Sequence, residues 1–323
     1  MFKVLCPEPI EKVGEDYLLA RNYKVVTPEQ CDYESVKREI ADADAVIVRM
    51  GLKLDAPLLR AGKKLKIVAR HGIGYDNIDV KTAQELGIYV TNARNASTNA
   101  VAEQAMMLIL SLAKQIPKYK NAVALGQWSR RNLVKTTELQ GKTLGLIGLG
   151  ANGLRLAEIA HFGFHMKIIG FDPYADVSRL PEYITYVDEK QKLLAQADIV
   201  SMHCLLTEET RHFIAEQELL AMKPGAWLIN CARGGLVDER ALYEKLSTGQ
   251  IGAAGLDVYE QEPPDPENPL FSLDNFMGTL HQASNTAEAS DRCALSAAEA
   301  VDDVLCGRMP RYPVNHPEKY MKR

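Results

Sequence analysis

An apolar strand runs into a glycine-rich turn at Thr143-Leu144-Gly145-Leu146-Ile147-Gly148-Leu149-Gly150-Ala151-Asn152-Gly153. Gly148 permits a tight turn, Gly150 has no Cβ where the backbone must approach a phosphate, and Gly153 lets the next helix pack close to the strand. The N-terminus of that helix offers free N–H groups and a partial positive charge. This order predicts a Rossmann dinucleotide-binding unit, with the pyrophosphate beside the three glycines, Ala151 and Asn152.

A carboxylate follows the turn at the spacing that such a unit requires. Asp172 lies 19 residues after Gly153, at the end of a second apolar run. A carboxylate there hydrogen-bonds the ribose hydroxyls but repels a 2′-phosphate, which favours NAD over NADP. Arg179 lies seven positions further on and could reach a phosphate, so the strictness of that preference stays open. We expect NAD as the cofactor.

The composition is typical of a globular protein of two domains. With 323 residues and a formal net charge of −4, the chain has no basic field that would attract nucleic acid. It contains no apolar run long enough to span a membrane, and its first residues indicate a strand and not a signal peptide. The six cysteines show neither C-x-x-C spacing nor disulfide density. We therefore expect reduced thiols, a cytoplasmic protein, and neither a membrane nor a nucleic-acid partner.

Short apolar runs alternate with stretches of helical spacing along the chain. They cover residues 3–6, 24–26, 45–48 and 66–69, and then 143–148, 167–171, 199–203, 227–230 and 252–257. This alternation predicts an α/β protein with two doubly wound parallel sheets. A final helical stretch at about 286–306 has no strand after it. We expect a Rossmann NAD-binding domain at 98–286, inserted in a discontinuous flavodoxin-like substrate-binding domain formed by 1–97 and 287–323.

A long helical stretch, from about residue 98 to residue 126, is apolar enough to require a cover. Packing within one subunit is one explanation. The other, which we favour, is that the far end of this stretch and the arm around Trp128 meet a second subunit, so that the protein is a homodimer.

Three reactive side chains each follow a predicted strand of the second half: Arg233, Glu262 and His281. Alone, each has an ordinary explanation as a surface arginine, a solvated acidic turn or a buried histidine. The carboxyl ends of neighbouring parallel strands form the ligand crevice of a doubly wound sheet. Together the three offer a fork for a carboxylate, a proton carrier and a carboxylate that tunes that carrier.

Motifs along almost the whole chain resemble those of the D-isomer-specific 2-hydroxyacid dehydrogenase family. They are His71 to Asp79, Ala100 to Glu103, the turn at Gly148, Leu205 to Thr210, Asn230 to Asp238, Gly255 to Val258, Glu262-Pro263 and His281. The resemblance implies NAD-dependent interconversion of a 2-oxoacid and a D-2-hydroxyacid. It also implies that Arg233 holds the carboxylate and carbonyl of the substrate, that His281 donates and accepts the proton, and that Glu262 pairs with His281.

The resemblance assigns further residues to ligands. Asp257 would meet the nicotinamide carboxamide, while Thr207 and Cys231 would line the cofactor cleft. The backbone at Gly72, Ile73 and Gly74 would bind the substrate carboxylate. No metal site is expected, because His161 and His165 are separated by Gly163 near a helix end and are better explained as core or surface residues.

The substrate itself stays open. Within this family the loop 48–53 faces the substrate, and Arg49 and Lys53 could meet a phosphate, which would favour 3-phosphohydroxypyruvate. Met50 and Leu52 stand where phosphoglycerate dehydrogenases more often have small hydroxyl residues, so we favour hydroxypyruvate or glyoxylate. Leu280, before the histidine, departs from the proline common in the family, a change that bears on nicotinamide fit and substrate choice more than on the reaction.

A function of another class uses the same scaffold. The chain also resembles NAD-sensing transcriptional corepressors, in which cofactor binding drives dimerisation and partner recognition. Turnover that depends on His281 would distinguish an enzyme from such a sensor.

Overall fold

The computed structural model describes residues 1–119, 121–133 and 135–319, and the chain divides into two compact units. Met1–Ser97 and Ser284–Arg323 form the first unit, and Thr98–Ala283 forms the second. The return to the first unit thus begins at Ser284, where the sequence predicts residue 287. The last four residues assigned to that domain, 320–323, lie outside the described residues.

The first unit is built on a five-stranded parallel sheet. Its strands are β1 (Lys3–Leu5), β2 (Lys24–Val26), β3 (Ala45–Val48), β4 (Ile67–Arg70) and β5 (Tyr89–Asn92), in the order β2-β1-β3-β4-β5. Its helices are α1 (Lys12–Leu19), α2 (Tyr33–Ile40), α3 (Ala56–Ala61), α4 (Val80–Glu85) and, from the end of the chain, α11 (Ala287–Leu305). Every residue of β3 and β4 is buried, as expected for strands covered on both faces. This order confirms the predicted flavodoxin-like sheet.

Helix α11 joins the first unit through a close contact with α1. A Cβ on Gly14 would lie 2.8 Å from the carbonyl oxygen of Ala294, so only glycine allows this approach. The hydroxyl of Tyr23 donates to the buried carboxylate of Asp302 at 2.7 Å. The two ends of the chain therefore share one core, and the first unit is discontinuous.

The second unit contains a seven-stranded parallel sheet. Its strands are β6 (Thr143–Ile147), β7 (Lys167–Phe171), β8 (Ile184–Tyr186), β9 (Ile199–Met202), β10 (Ala226–Asn230), β11 (Ile251–Leu256) and β12 (Phe276–Gly278), in the order β8-β7-β6-β9-β10-β11-β12. Its helices are α5 (Thr98–Ala113), α6 (Ile116–Tyr119), α7 (Ala151–Glu158), α8 (Lys190–Gln196), α9 (Glu216–Ala221) and α10 (Glu239–Thr248). The first six strands have the Rossmann order, with β12 added at one edge.

The helix predicted to run from residue 98 to residue 126 is shorter than expected. Helix α5 ends at Ala113, and Gln115 has a left-handed backbone with φ of 53°. The Gln115 N–H donates to the carbonyl of Leu112, which closes the last turn. The predicted length was wrong because the apolar spacing continues past the end of the helix at Ala113. Lys120, within the predicted stretch, lies outside the described residues. Over the part of the chain that the structure describes, no helix is both long and apolar enough to cross a bilayer.

Candidate active site

The order of the second sheet places the carboxyl ends of β10, β11 and β12 side by side. Arg233, Glu262 and His281 each follow one of these strand ends. The structure brings His281 and Glu262 into direct contact, with 2.7 Å between Nδ1 of the imidazole and Oε2 of the carboxylate. Both side chains are about one third exposed. The expected pairing of the two side chains is therefore present in the fold.

The backbone at His281 is held in an uncommon conformation by Asp257. His281 has φ of 49°, and its N–H donates to the backbone carbonyl of Asp257 at 2.7 Å. The carboxylate of Asp257 accepts the N–H groups of Gln282 at 3.1 Å and Ala283 at 2.8 Å. Asp257 is fully buried. One side chain thus fixes the turn that presents the imidazole.

The environment of Glu262 favours its ionised form. Burial by itself opposes ionisation, but the hydrogen bond and charge of His281, together with the charge of Arg233, hold the pKa of Glu262 below its usual value. The N–H of Tyr259 donates to the other carboxylate oxygen at 3.1 Å. A carboxylate can only accept, so the hydrogen bond to Glu262 places the ring proton on Nδ1 of His281. Nε2 is then the nitrogen that can exchange a proton with a ligand.

Arg233 is positioned by the last residue of β10. Asn230 is fully buried; its amide nitrogen donates to the carbonyl of Arg233 at 2.8 Å, and its oxygen accepts the N–H of Ala232 at 2.9 Å. The guanidinium donates through Nη1 to the carbonyl of Ala232 at 2.7 Å. The guanidinium therefore stands at the strand end beside the Glu262 loop, where its charge lowers the pKa of Glu262.

The glycine turn after β6 leaves room that fits a phosphate. Gly148 has φ of 100°, and a Cβ on Gly153 would lie 2.3 Å from the carbonyl oxygen of Gly148. A Cβ on Gly150, in contrast, would meet no heavy atom within 4 Å. Gly150 caps α7, and Ala151 and Asn152 form its first turn. Helix and turn are thus packed tightly against each other while the face at Gly150 stays open, as a bound pyrophosphate would need.

Asp172 lies at the end of β7, next to this turn. Its two oxygens accept the N–H groups of Leu149 and Tyr174, each at 2.9 Å. The carboxylate is partly exposed, and each oxygen retains a lone pair for a further donor. This position fits recognition of a ribose next to the open face at Gly150.

The other predicted cofactor residues differ in exposure. Thr207 is exposed, and its hydroxyl donates to Glu209 at 3.1 Å. Cys231 is buried, and burial together with the charge of Asp257 raises the pKa of its thiol. Asp257 also accepts hydrogen bonds from Thr279 and Gln104. Most of the hydrogen-bonding capacity of its carboxylate is thus taken up by groups within the protein.

The predicted substrate residues of the first unit lie at strand ends of its own sheet. Arg49 follows β3 and forms an ion pair with Glu11 at 3.1 Å. Glu11 also contacts Nε2 of the buried His71 at 2.5 Å. Gly72 has φ of 141°, and Ile73 and Gly74 follow it as partly exposed residues. The pairing of Arg49 with a carboxylate is a feature that the sequence did not reveal.

The structure also reveals contacts that sequence reasoning missed. His212, Glu239 and Glu260 join the loops that follow β9, β10 and β11. The sequence could have indicated two of them only by their positions, because Glu239 begins a helix and Glu260 lies two residues before Glu262.

Among residues 1–119, 121–133 and 135–319, no group of three or more His, Cys, Asp or Glu side chains is arranged to hold a metal ion.

Comparisons with known proteins agree on one family. The model of the D-isomer specific 2-hydroxyacid dehydrogenase NAD binding domain matches residues 106–283. A hydroxypyruvate reductase from Thermotoga maritima is 42% identical over 93% of this chain and 97% of its own length. A D-3-phosphoglycerate dehydrogenase from Methanocaldococcus jannaschii is 41% identical over 98% of this chain, which spans only 60% of that protein. The solved structure of an NADPH-dependent glyoxylate/hydroxypyruvate reductase from Sinorhizobium meliloti gives a TM-score of 0.86 at 29% identity, over 97% of this chain and 98% of its own.

Proposed function

This chain belongs to the D-isomer-specific 2-hydroxyacid dehydrogenase family, and we propose that it interconverts a 2-oxoacid and a D-2-hydroxyacid by NAD-dependent hydride transfer. The observation that carries this proposal is the His281–Glu262 pair at 2.7 Å, on the ends of β12 and β11, with Arg233 on the end of β10 beside them. The named relatives are dehydrogenases and reductases, and they give no support to the alternative of an NAD-sensing corepressor.

The three side chains meet the needs of carbonyl reduction. Negative charge grows on the carbonyl oxygen of a 2-oxoacid as it is reduced, so a proton and a cation must be in place. A bound reduced nicotinamide would supply the hydride. His281 would give the proton from Nε2, because Nδ1 faces Glu262. The guanidinium of Arg233 stays charged, and its planar fork fits a carboxylate.

A nicotinamide dinucleotide fits the second unit. The open face at Gly150 and the first turn of α7 would hold the pyrophosphate, and Asp172 would hold the adenosine ribose. We propose NAD and not NADP, because Asp172 would repel a 2′-phosphate. One relative uses NADPH, so the two cofactors must be compared directly.

We propose hydroxypyruvate or glyoxylate as the substrate, with 3-phosphohydroxypyruvate as the second candidate. The pairing of Arg49 with Glu11 compensates its charge, which makes it a weaker phosphate ligand than an uncompensated arginine. Contacts of Arg49, Gly72, Ile73 and Gly74 with the substrate stay predictions.

A homodimer and a cytoplasmic location also stay proposals. Four apolar side chains beyond α5 are strongly exposed: Val123 at 76%, Leu125 at 66%, Trp128 at 66% and Leu133 at 81%. So many large apolar groups within a short segment favour a cover by a second subunit. The cytoplasm is proposed from the cysteine pattern of the sequence alone.

Oxidation of NADH, followed by absorbance, tests the proposed function. The panel contains hydroxypyruvate, glyoxylate, pyruvate and 3-phosphohydroxypyruvate, and each is repeated with NADPH. We expect one unphosphorylated oxoacid to be preferred with NADH, and His281→Asn to lower that turnover at least about 100-fold. NADH binding without turnover on the whole panel would contradict the proposal and favour a sensor.

A further inference from the structure

Two glutamates on neighbouring strand-end loops cap each other's backbone. Glu239 opens α10, six residues after Arg233, and Glu260 lies two residues before Glu262. Oε1 of Glu260 accepts the N–H of Glu239 at 2.8 Å, and Oε1 of Glu239 accepts the N–H of Glu260 at 2.6 Å. The loop that carries Arg233 is therefore tied to the loop that carries Glu262 by a reciprocal pair of charge-assisted hydrogen bonds.

His212 ties a third loop to this pair. Its Nε2 lies 2.9 Å from Oε2 of Glu260, and its own N–H donates to the carbonyl of Gly235 at 2.8 Å. Asn268 adds a further bond, from its amide nitrogen to Oε2 of Glu239 at 2.7 Å. The loop after β9, which contains Thr207, is thus held to the loops after β10 and β11.

The backbones of the two catalytic loops touch directly. A Cβ on Gly234, the residue after Arg233, would lie 1.9 Å from the carbonyl carbon of Tyr259 and 2.5 Å from the nitrogen of Glu260. No gap remains between the loops at this point. A shift of one loop must therefore move the other, and the carboxylate bonds at Glu239 and Glu260 determine their alignment.

Stability alone does not explain this choice of residues. The arrangement faces one carboxylate with another, and the imidazole of His212 is 41% exposed beside a Glu260 side chain that is 34% exposed. Ion pairs at such exposure contribute little to the free energy of unfolding. The arrangement does fix the alignment of the two loops, because each carboxylate accepts one particular backbone N–H of the other loop.

We propose that Glu239, Glu260 and His212, together called the strand-end clamp, are positioning residues for the reaction. They act through the loops, setting where Arg233 stands relative to the His281–Glu262 pair, and do not themselves contact the reacting atoms. The inference rests on the proposed function, which assigns the catalytic roles to Arg233, Glu262 and His281. Small displacements of reacting groups cost rate far more than binding, so the clamp should affect kcat above all.

The test replaces each clamp carboxylate in turn and separates kcat from KM. We expect Glu239→Ala and Glu260→Ala to lower kcat roughly 10- to 100-fold, with KM for NADH changed less than about threefold. Glu239→Gln should recover most of the rate, because an amide oxygen still accepts the N–H of Glu260. Glu216→Ala is the matched control: it breaks the 2.8 Å ion pair of Glu216 with Lys245 between α9 and α10, and it should leave kcat unchanged.

Equal losses of kcat in the control and the clamp variants, or no recovery in Glu239→Gln, would overturn the proposal. Should an alanine variant of either glutamate fail to fold, His212→Ala is a milder disruption of the clamp. We expect it to lower kcat about threefold or more, and an unchanged kcat would count against the clamp. Hydrogen exchange of segments 258–264 and 279–283 gives a readout that needs no turnover. If the wild type turns over no oxoacid, the proposed function fails, but the clamp can still be tested by exchange. Faster exchange of these segments in the clamp variants, and not in the control, would support positioning. Unchanged exchange in the clamp variants would overturn it.

Discussion

The imidazole of His281 depends on one buried carboxylate for its orientation. A positive φ is unfavourable for a side chain with a Cβ, and here it persists because Asp257 accepts the next two backbone N–H groups. Glu262 then selects the ring nitrogen that carries the fixed proton. The site is thus a histidine whose backbone conformation and ring tautomer are both set by carboxylates.

Replacement of that histidine should remove chemistry and leave the fold intact. We expect His281→Asn to lower kcat roughly 100- to 10,000-fold, as for the loss of other general acids. Its effect on the melting temperature should be small, because the side chain is about one third exposed. Steady-state kinetics and thermal unfolding measure the two effects. His316→Ala, an exposed histidine of the first unit, is the control, and an equal loss of activity in both variants would refute the role of His281.

A second histidine, His203, should make the protein sensitive to acid. Burial of its imidazole lowers its pKa from 6.5 to about 4. Between these two pH values the imidazole binds a proton in the unfolded chain but not in the folded protein. The free energy of unfolding is therefore not reduced by His203 above about pH 6.5, and it falls as the pH decreases toward 4. We expect the loss to be on the order of 1–2 kcal/mol at about pH 5.

Urea unfolding of the wild type and of His203→Gln, at about pH 7.5 and about pH 5, measures that contribution. The variant loses the hydrogen bond to Ser201 at both pH values, so only the difference between them is informative. We expect a smaller difference in the variant. The same difference in both proteins would assign the acid sensitivity to other groups, such as His71, whose burial also lowers its pKa.

Among the elements, the turn between β6 and α7 has one tightly packed glycine and one that faces the space proposed for the cofactor. Gly153 lets the helix approach the strand, and Gly150 faces open space. Gly150 has φ of −76° and ψ of −171°, a backbone conformation that alanine also adopts. The two glycines of one motif therefore have different surroundings, and only Gly153 is required by packing.

Alanine at each position should reveal this difference. Gly153→Ala places a Cβ 2.3 Å from a carbonyl oxygen, and we expect it to lower the free energy of unfolding by roughly 1–3 kcal/mol. Gly150→Ala should leave stability nearly unchanged but weaken NADH binding, because its Cβ enters the space proposed for the pyrophosphate. Urea unfolding and NADH fluorescence titration measure the two quantities. Equal destabilisation by both substitutions would be inconsistent with an open face at Gly150.

For the whole molecule, the apolar segment beyond α5 is the feature that favours self-association. Leu125 and Leu133 are 66% and 81% exposed. We expect the double substitution of Leu125→Asp and Leu133→Asp to turn a dimer into a monomer, since charges there would oppose burial between subunits. Sedimentation velocity measures the assembly state. Leu220→Asp, at an equally apolar residue of α9 that is 55% exposed, is the control; a wild type that sediments as a monomer would refute the dimer.

The sequence by itself determined the local parts of this protein. The apolar runs at 24–26, 45–48 and 167–171 coincide with β2, β3 and β7, and the glycine turn lies where its spacing predicts. Two strands were not predicted: β8 has only three residues, and β5 contains the polar pair Thr91-Asn92. Periodicity and turn chemistry are properties of neighbouring residues, so they can be read from the chain wherever an element is long enough to repeat them.

Only the tertiary structure decided which distant side chains meet. The reciprocal bonds of Glu239 with Glu260, the ion pair of Arg49 with Glu11 and the hold of Asp257 on the His281 turn all join residues from different strand ends. Such partners depend on the order and register of parallel strands, which are determined by long-range packing of the sheet and its helices. Local sequence therefore specifies the reactive groups, while the assembled sheet specifies their distances and charges.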